Sequence, residues 1–414
     1  MVTTATALTF GPGFTDKHQS IDLGRLRNDR AEKVRATLRR LGIPAILASS
    51  EPNVRYLTGF SWGPFQPHLC YALFFAEHDP VLFAHAGSYQ MPEMAPWIKN
   101  WRCARATLSD IAGPQAVREE YALFADEIRG ELKERGLAGE PLAVCDFDEH
   151  ARTALRELGL KVVDGWPLLL DASQCKTQDE INCLKMAATF CSTGWQKFTE
   201  IARTGMPTST IHRICQNAMA EVGAEPAGWM WSGPTTFERL ITPVNRIIEH
   251  GDLVYYPLCG TAFLGYTACL YRTFKIGRKP TDKEKGWYKR VKDSLDAAIE
   301  ATRIGKTTAD AAQAFPPASK WGYKDEAEVL SIEFGHGVGL ASPWPLGVHY
   351  NYPNVNRQWS LKHPQPFEKG MVIAYESCEG EHMVGGVRLE NMVVVTEKGP
   401  EVLDLYPRDE ITVV

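Results

Sequence analysis

The stretch Gly251–Phe274, GDLVYYPLCGTAFLGYTACLYRTF, constrains the fold of this chain most tightly. It is rich in aromatic and branched residues, and it predicts strands through about 253–276. Three later segments echo it. FGHGVGL carries His336, GMVIAYESCEG carries Glu376, and GGVRLENMVVV carries Glu390. The alternation in VIAYES and VRLENMVVV predicts strands whose glutamates point into the layer between sheets. A buried carboxylate needs a cation, a proton or several hydrogen bonds. The alternatives for Glu376 and Glu390 are a raised pKa, pairing with His336, or a salt bridge to Arg272 or Arg388.

The rest of the chain supplies a second layer type. Arg25–Leu41 has helical spacing and is stopped by Gly42. IPAILAS is a short strand run, and YALFFAEHDPVLFAH predicts two strands about a His-Asp-Pro turn. AVREEYALFADEIRGELKERG predicts a helix, PLAVCDF a strand and DEHARTALRELG a further helix. Strands alternating with helices imply an α/β layer. Thr177 and Glu180 form a capping-box pattern at the head of a helix over about 179–203. Helices are also predicted over 208–222, 281–303 and 307–315. The expected organisation is a domain at 1–170, opened by an extended arm over 1–25, and a second domain at 171–414.

A length of 414 residues fits two or three domains. The net charge of −5 gives no footprint for nucleic acid or an anionic membrane. No apolar run reaches membrane-spanning length, and MVTTATALTFGPGF lacks a basic start and an apolar signal core. A cytoplasmic protein is therefore expected. The ten cysteines form no Cys-x-x-Cys pair and predict free thiols, mostly small buried hydrophobes.

The segments around Gly251–Phe274, His336, Glu376 and Glu390 resemble the pita-bread family of aminopeptidase P, prolidase, methionine aminopeptidase and creatinase, with its dimethylsulfoniopropionate lyase branch. NVRYLTGF (53–60) likewise resembles a strand-entry segment of the creatinase and prolidase N-terminal domain. The resemblance implies an α/β + α+β protein: a creatinase-like N-terminal domain followed by a pita-bread catalytic domain. Metal-dependent members hold their ions with two aspartates, a Gly-His-Gly histidine and two strand glutamates. Here Pro257 stands at the first aspartate position and Cys269 at the second, and Cys259 matches a further aspartate of the lyase branch. His336, Glu376 and Glu390 remain.

That pattern leads to an expected pocket without metal and without any other cofactor, in which His336, Glu376 and Glu390 move protons. His349, in GVHYNYP, is a second histidine candidate. Proline has no side-chain ligand, whereas Cys259 and Cys269 suit a softer ion such as zinc. Creatinase is the precedent for catalysis without metal, yet its histidine is replaced here by Leu240 or Ile241. The lyase branch matches without a gap through Gly251–Thr273 and shares Trp344–Pro345, although Ser342 stands where it carries an acidic residue.

Aromatic density implies a bulky, aromatic small-molecule substrate. The candidate lining is Trp229, Trp231, Tyr256, Cys259, Tyr266, Cys269, Arg272, Trp344 and Tyr350. A homodimer is expected, with the segment carrying Phe65 and His68 reaching the neighbour's site. The leading expectation is a metal-independent lyase breaking a C–C, C–O or C–S bond. The alternatives are a metal-independent C–N hydrolase, an Xaa-Pro peptidase-like hydrolase with a Cys-substituted metal site, and a catalytically dead binding module.

Overall fold

The computed structural model describes residues 21–61, 70–85, 91–105, 113–225, 233–234, 245–328, 333–340, 351–381 and 384–414. Most of the expected arm, 1–25, lies outside these residues. The chain divides into two compact units, one of them Leu23–Ser173 and the other containing Gln174–Val414.

The first unit is built on a six-stranded sheet in the order β4-β3-β2-β1-β5-β6. Its strands are β1 Ala45–Ala48, β2 Cys70–Phe75, β3 Val81–Ala84, β4 Asn100–Cys103, β5 Pro141–Cys145 and β6 Lys161–Asp164. Strands β2 and β3 form the antiparallel pair about the His-Asp-Pro turn, while β5 runs parallel to β1 and to β6. The apolar faces of helices Pro114–Glu134 and Glu149–Glu157, including Phe124, Ile128, Leu132 and Leu155, share one core with Leu47, Tyr71 and Leu73 of the sheet. Burial of that stripe, rather than intrinsic propensity, holds such helices.

NVRYLTGF corrects the sequence reading. It is not a strand entry: Glu51–Thr58 is a helix, closed by Gly59 in the left-handed conformation at φ 75°. Pro52 sits in its first turn, where the missing N–H costs nothing, and Val54, Tyr56 and Leu57 are buried. Tertiary burial outweighs the strand preference of valine and tyrosine.

The second unit opens on α1, Gln178–Ile201, whose capping box is complete: the Thr177 side chain accepts from the Glu180 amide and Glu180 answers to the Thr177 amide. Helices α2, Thr208–Glu221, and α3, Asp282–Ala301, follow. The strands are β7 Gly233–Pro234, β8 Leu253–Pro257, β9 Thr261–Phe263, β10 Tyr266–Ala268, β11 Tyr271–Lys275, β12 Glu333–Gly337, β13 Asn351–Asn356, β14 Val372–Glu381, β15 Gly385–Thr396, β16 Gly399–Val402 and β17 Thr412–Val413. They form a four-stranded sheet, β17-β11-β8-β7, a five-stranded sheet, β13-β12-β14-β15-β16, and the hairpin β9–β10.

The two larger sheets are tied where β11 meets β15. The Thr273 hydroxyl donates to the Arg388 carbonyl at 2.8 Å and accepts from the Arg388 amide at 3.0 Å. On β14 and β15, Ile373, Tyr375, Val387, Leu389 and Val393 share an apolar core with Trp287, Val291 and Leu295 of α3. Strand alternation therefore turns Glu376, Arg388 and Glu390 to the opposite face.

Candidate active site

Glu376 and Glu390 are direct cross-strand partners on β14 and β15. Two like charges so placed repel unless each is compensated. Arg388, on the same face of β15, compensates Glu376. Its Nε donates to Oε2 at 2.9 Å and its Nη2 donates to the same oxygen. The guanidinium also lies 3.9 Å from the centre of the Tyr271 ring, a cation–π contact.

Glu390 is completely buried and has a different neighbourhood. Its Oε1 lies 3.7 Å from His336 Nε2 and makes no hydrogen bond among the described residues, and its Oε2 accepts from Cys259 Sγ at 3.8 Å. Burial pushes the Glu390 carboxyl above its usual range; the charge of Glu376 adds to that, and His336 pulls the other way. His336 lies on β12, opposite Ala374 of β14. Its Nδ1 is 3.0 Å from the Gly337 carbonyl, which can only accept. Nδ1 therefore carries a hydrogen, and Nε2 faces Glu390.

Gly335 has a packing role. A Cβ there would stand 2.6 Å from Tyr375 Cδ1. The glycine before His336 is demanded by the ring beneath it.

Cys259 and Cys269, both buried free thiols, complete the cluster. Cys259 Sγ, Cys269 Sγ and a Glu390 oxygen all lie within 4.8 Å of one another, an arrangement that could hold a metal ion. Burial pushes both thiols above the ordinary cysteine value, most strongly at Cys269. Pro257 is buried beside them and pairs with Tyr271 across β8 and β11.

The structure separates the other named residues from this cluster. Tyr256 and Arg272 lie on the opposite face of the β8–β11 ladder, because both alternate with Pro257 and Tyr271. The Tyr256 hydroxyl meets His212 Nδ1 of α2 at 3.1 Å. Arg272 is buried, stacks over Trp195, pairs with Asp404 through Nη2 and donates to the Glu390 carbonyl at 2.7 Å. Arg272 thus holds the backbone of β15 and does not pair with Glu376 or Glu390. Tyr266 turns its hydroxyl to Glu180 at 3.0 Å. These three side chains do not line the cluster. Trp229, Trp231, Trp344, His349, Tyr350, Phe65 and His68 lie outside the described residues.

Two neighbours were missing from the sequence list of lining residues. Tyr271 could have been found from its alternation with Thr273. Arg388 was named there only as a salt-bridge partner; its two-residue offset from Glu390 on one strand places it on the same face.

Residues 182–397 match metallopeptidase family M24, and residues 30–158 match the creatinase/prolidase N-terminal domain. The dimethylsulfoniopropionate lyase DddP of Roseovarius nubinhibens is 24% identical over 423 residues, covering 98% of this chain and 91% of that protein. The Xaa-Pro dipeptidase of Pyrococcus horikoshii is 24% identical over 391 residues, covering 93% and 99%. Among solved structures, the prolidase of Thermococcus sibiricus superposes with a TM-score of 0.73 at 23% identity, over 95% of this chain and 100% of that one.

Proposed function

The chain belongs to metallopeptidase family M24, and from that premise we propose that it is a lyase that cleaves a small aromatic substrate by proton transfer at His336 and Glu390, without the paired divalent ions its family implies. One observation carries the reading: Glu376 is committed to Arg388.

A pair of hard divalent ions needs several carboxylates, some of them bridging. The residues present do not fit that pair. Pro257 offers no ligand, Cys259 and Cys269 offer soft sulfur, and Glu376 already carries a guanidinium. Among the described residues of the cluster Glu390 is the carboxylate left over, and one carboxylate does not hold two hard ions.

The same residues suit acid–base chemistry. The Gly337 carbonyl fixes the tautomer of His336, so that Nε2 can take a proton from a substrate carbon. The electron pair of that C–H bond becomes the new double bond as the bond to the leaving group breaks. The leaving group takes a proton back from the imidazolium, and Glu390, 3.7 Å away, steadies the imidazolium while it lasts. The Tyr271 ring and Pro257 give this end of the cluster an apolar wall, which suits an aromatic substrate. The similarity to a protein named as a lyase supports elimination. Two copies, with the segment carrying Phe65 and His68 reaching the neighbouring site, belong to the same proposal.

The second reading is hydrolysis, which the similarity to an Xaa-Pro dipeptidase favours. A substrate screen over lignin-type aromatics, guanidino acids and Xaa-Pro peptides comes first. Turnover of the hit in heavy-oxygen water then decides. Elimination leaves the product unlabelled, and label in the product overturns the lyase reading. Turnover that survives removal of all metal supports the metal-independent mechanism, and turnover lost with the metal and restored by manganese or iron overturns it.

A further inference from the structure

The geometry points to a second, mutually exclusive state of this cluster: we propose that Cys259, Cys269 and Glu390 form a site for a single thiophilic divalent ion, of the zinc or cadmium kind.

Tetrahedral zinc bonds sulfur at about 2.3 Å and carboxylate oxygen at about 2.0–2.2 Å, so its donors stand roughly 3.5–3.8 Å apart. Cys259 Sγ and Glu390 Oε2 are already 3.8 Å apart, and all three donors fall within 4.8 Å. A shift of about an ångström at most closes the set around an ion of that bond length. The other oxygen, Oε1, is buried with no hydrogen bond among the described residues, and the protonated His336 of the ion-loaded state supplies it with one after a small shift.

The donor types select the ion. Two thiolates disfavour magnesium, calcium and manganese and favour zinc or cadmium. Binding displaces the two thiol protons to solvent. Two thiolates, one carboxylate and a divalent ion leave one net negative charge, and a protonated His336 beside Glu390 balances it. In that state Nε2 holds a proton and Glu390 is engaged. The ion therefore inhibits; this consequence rests on the function proposed above, whereas the binding does not.

Full-length protein stripped of metal is titrated with cadmium and followed by the sulfur-to-cadmium charge-transfer absorption. The expected result is one equivalent bound, with proton release in weak buffer. The band is lost in Cys259→Ser and in Cys269→Ser, and Glu390→Gln weakens binding by about tenfold or more, the scale already seen for outer-sphere partners. No band in the wild type, or an unchanged band in both serine variants, overturns the site. Should those variants fail to fold, cadmium-soaked wild-type crystals answer instead. An anomalous peak bounded by the two Sγ atoms and Glu390 supports the site, and a peak only at Cys103, Cys175 or Cys378 overturns it. A missing band with metal-free turnover intact removes the ion site alone. An intact band with turnover that needs manganese or iron removes the metal-independent mechanism alone.

Discussion

His336 Nε2 stands 3.7 Å from Glu390 Oε1, and both side chains are buried. The gap is too long for a hydrogen bond and is closed by a shift of less than an ångström on the scale of ordinary heavy-atom distances, roughly 2.7–3.2 Å. In the proposed reaction this contact steadies the imidazolium that holds the substrate's proton. His336→Gln and Glu390→Gln should each lower kcat by about 10²–10⁴-fold, the usual yield of a positioned acid or base. The double variant should lose little more than the worse single one, because the two act as a unit. Steady-state kinetics on the screened substrate measures it, and full activity in His336→Gln removes the histidine from the reaction.

Arg388→Met should destabilise the protein by about 3–5 kcal/mol, because it strands the carboxylate of Glu376 in a buried site. Adding Glu376→Gln should recover most of that loss. Denaturant midpoints at constant slope report both values. A single variant as stable as the wild type would mean that Glu376 holds a proton instead of the ion pair.

Acid stability should carry the mark of His212. Burial lowers its pKa from 6.5 to about 4, so it stays neutral in the folded protein. A lowered folded pKa means that its contribution is complete above 6.5 and is lost as pH falls towards 4. The span corresponds to about 3 kcal/mol. His212→Gln should flatten the fall in stability across that window, read from denaturant midpoints at a series of pH values. An unchanged slope would assign the acid sensitivity to other groups.

Gly335→Ala should lower stability by about 1–3 kcal/mol, the usual penalty for overfilling a core. The new methyl meets the Tyr375 ring, which is itself held by a hydrogen bond to Thr302 at 2.8 Å. Thermal melting measures the loss. Tyr375→Leu in the same chain should restore part of it by clearing the ring.

Much of this architecture was legible because its signals are local. The Thr177–Glu180 capping box, the paired strands about His-Asp-Pro and the alternation around Glu376 and Glu390 each lie within a few residues. The family, too, was legible in the glycines and acids of the second unit. What escaped depends on distant partners. Arg272 was read as a candidate partner for a glutamate, yet Asp404, 132 residues further along, takes it. Tyr256 and Tyr266 were read as lining by aromatic density, which does not say which face of a strand a ring occupies. Glu51–Thr58 became a helix because its burial is set by the rest of the first unit. The convergence of Cys259, Cys269 and Glu390 required β15 to lie against the turn after β8, which no short pattern encodes.

The guanidinium of Arg388 also shapes how this protein can change over evolutionary time. An aspartate placed at the buried position of Pro257 would add an acid where the guanidinium of Arg388 is already taken by Glu376. Removing Arg388 first would expose the fold to an unbalanced charge. Each change alone adds an uncompensated buried charge even if the two together do not, so libraries of single substitutions do not reach the pair.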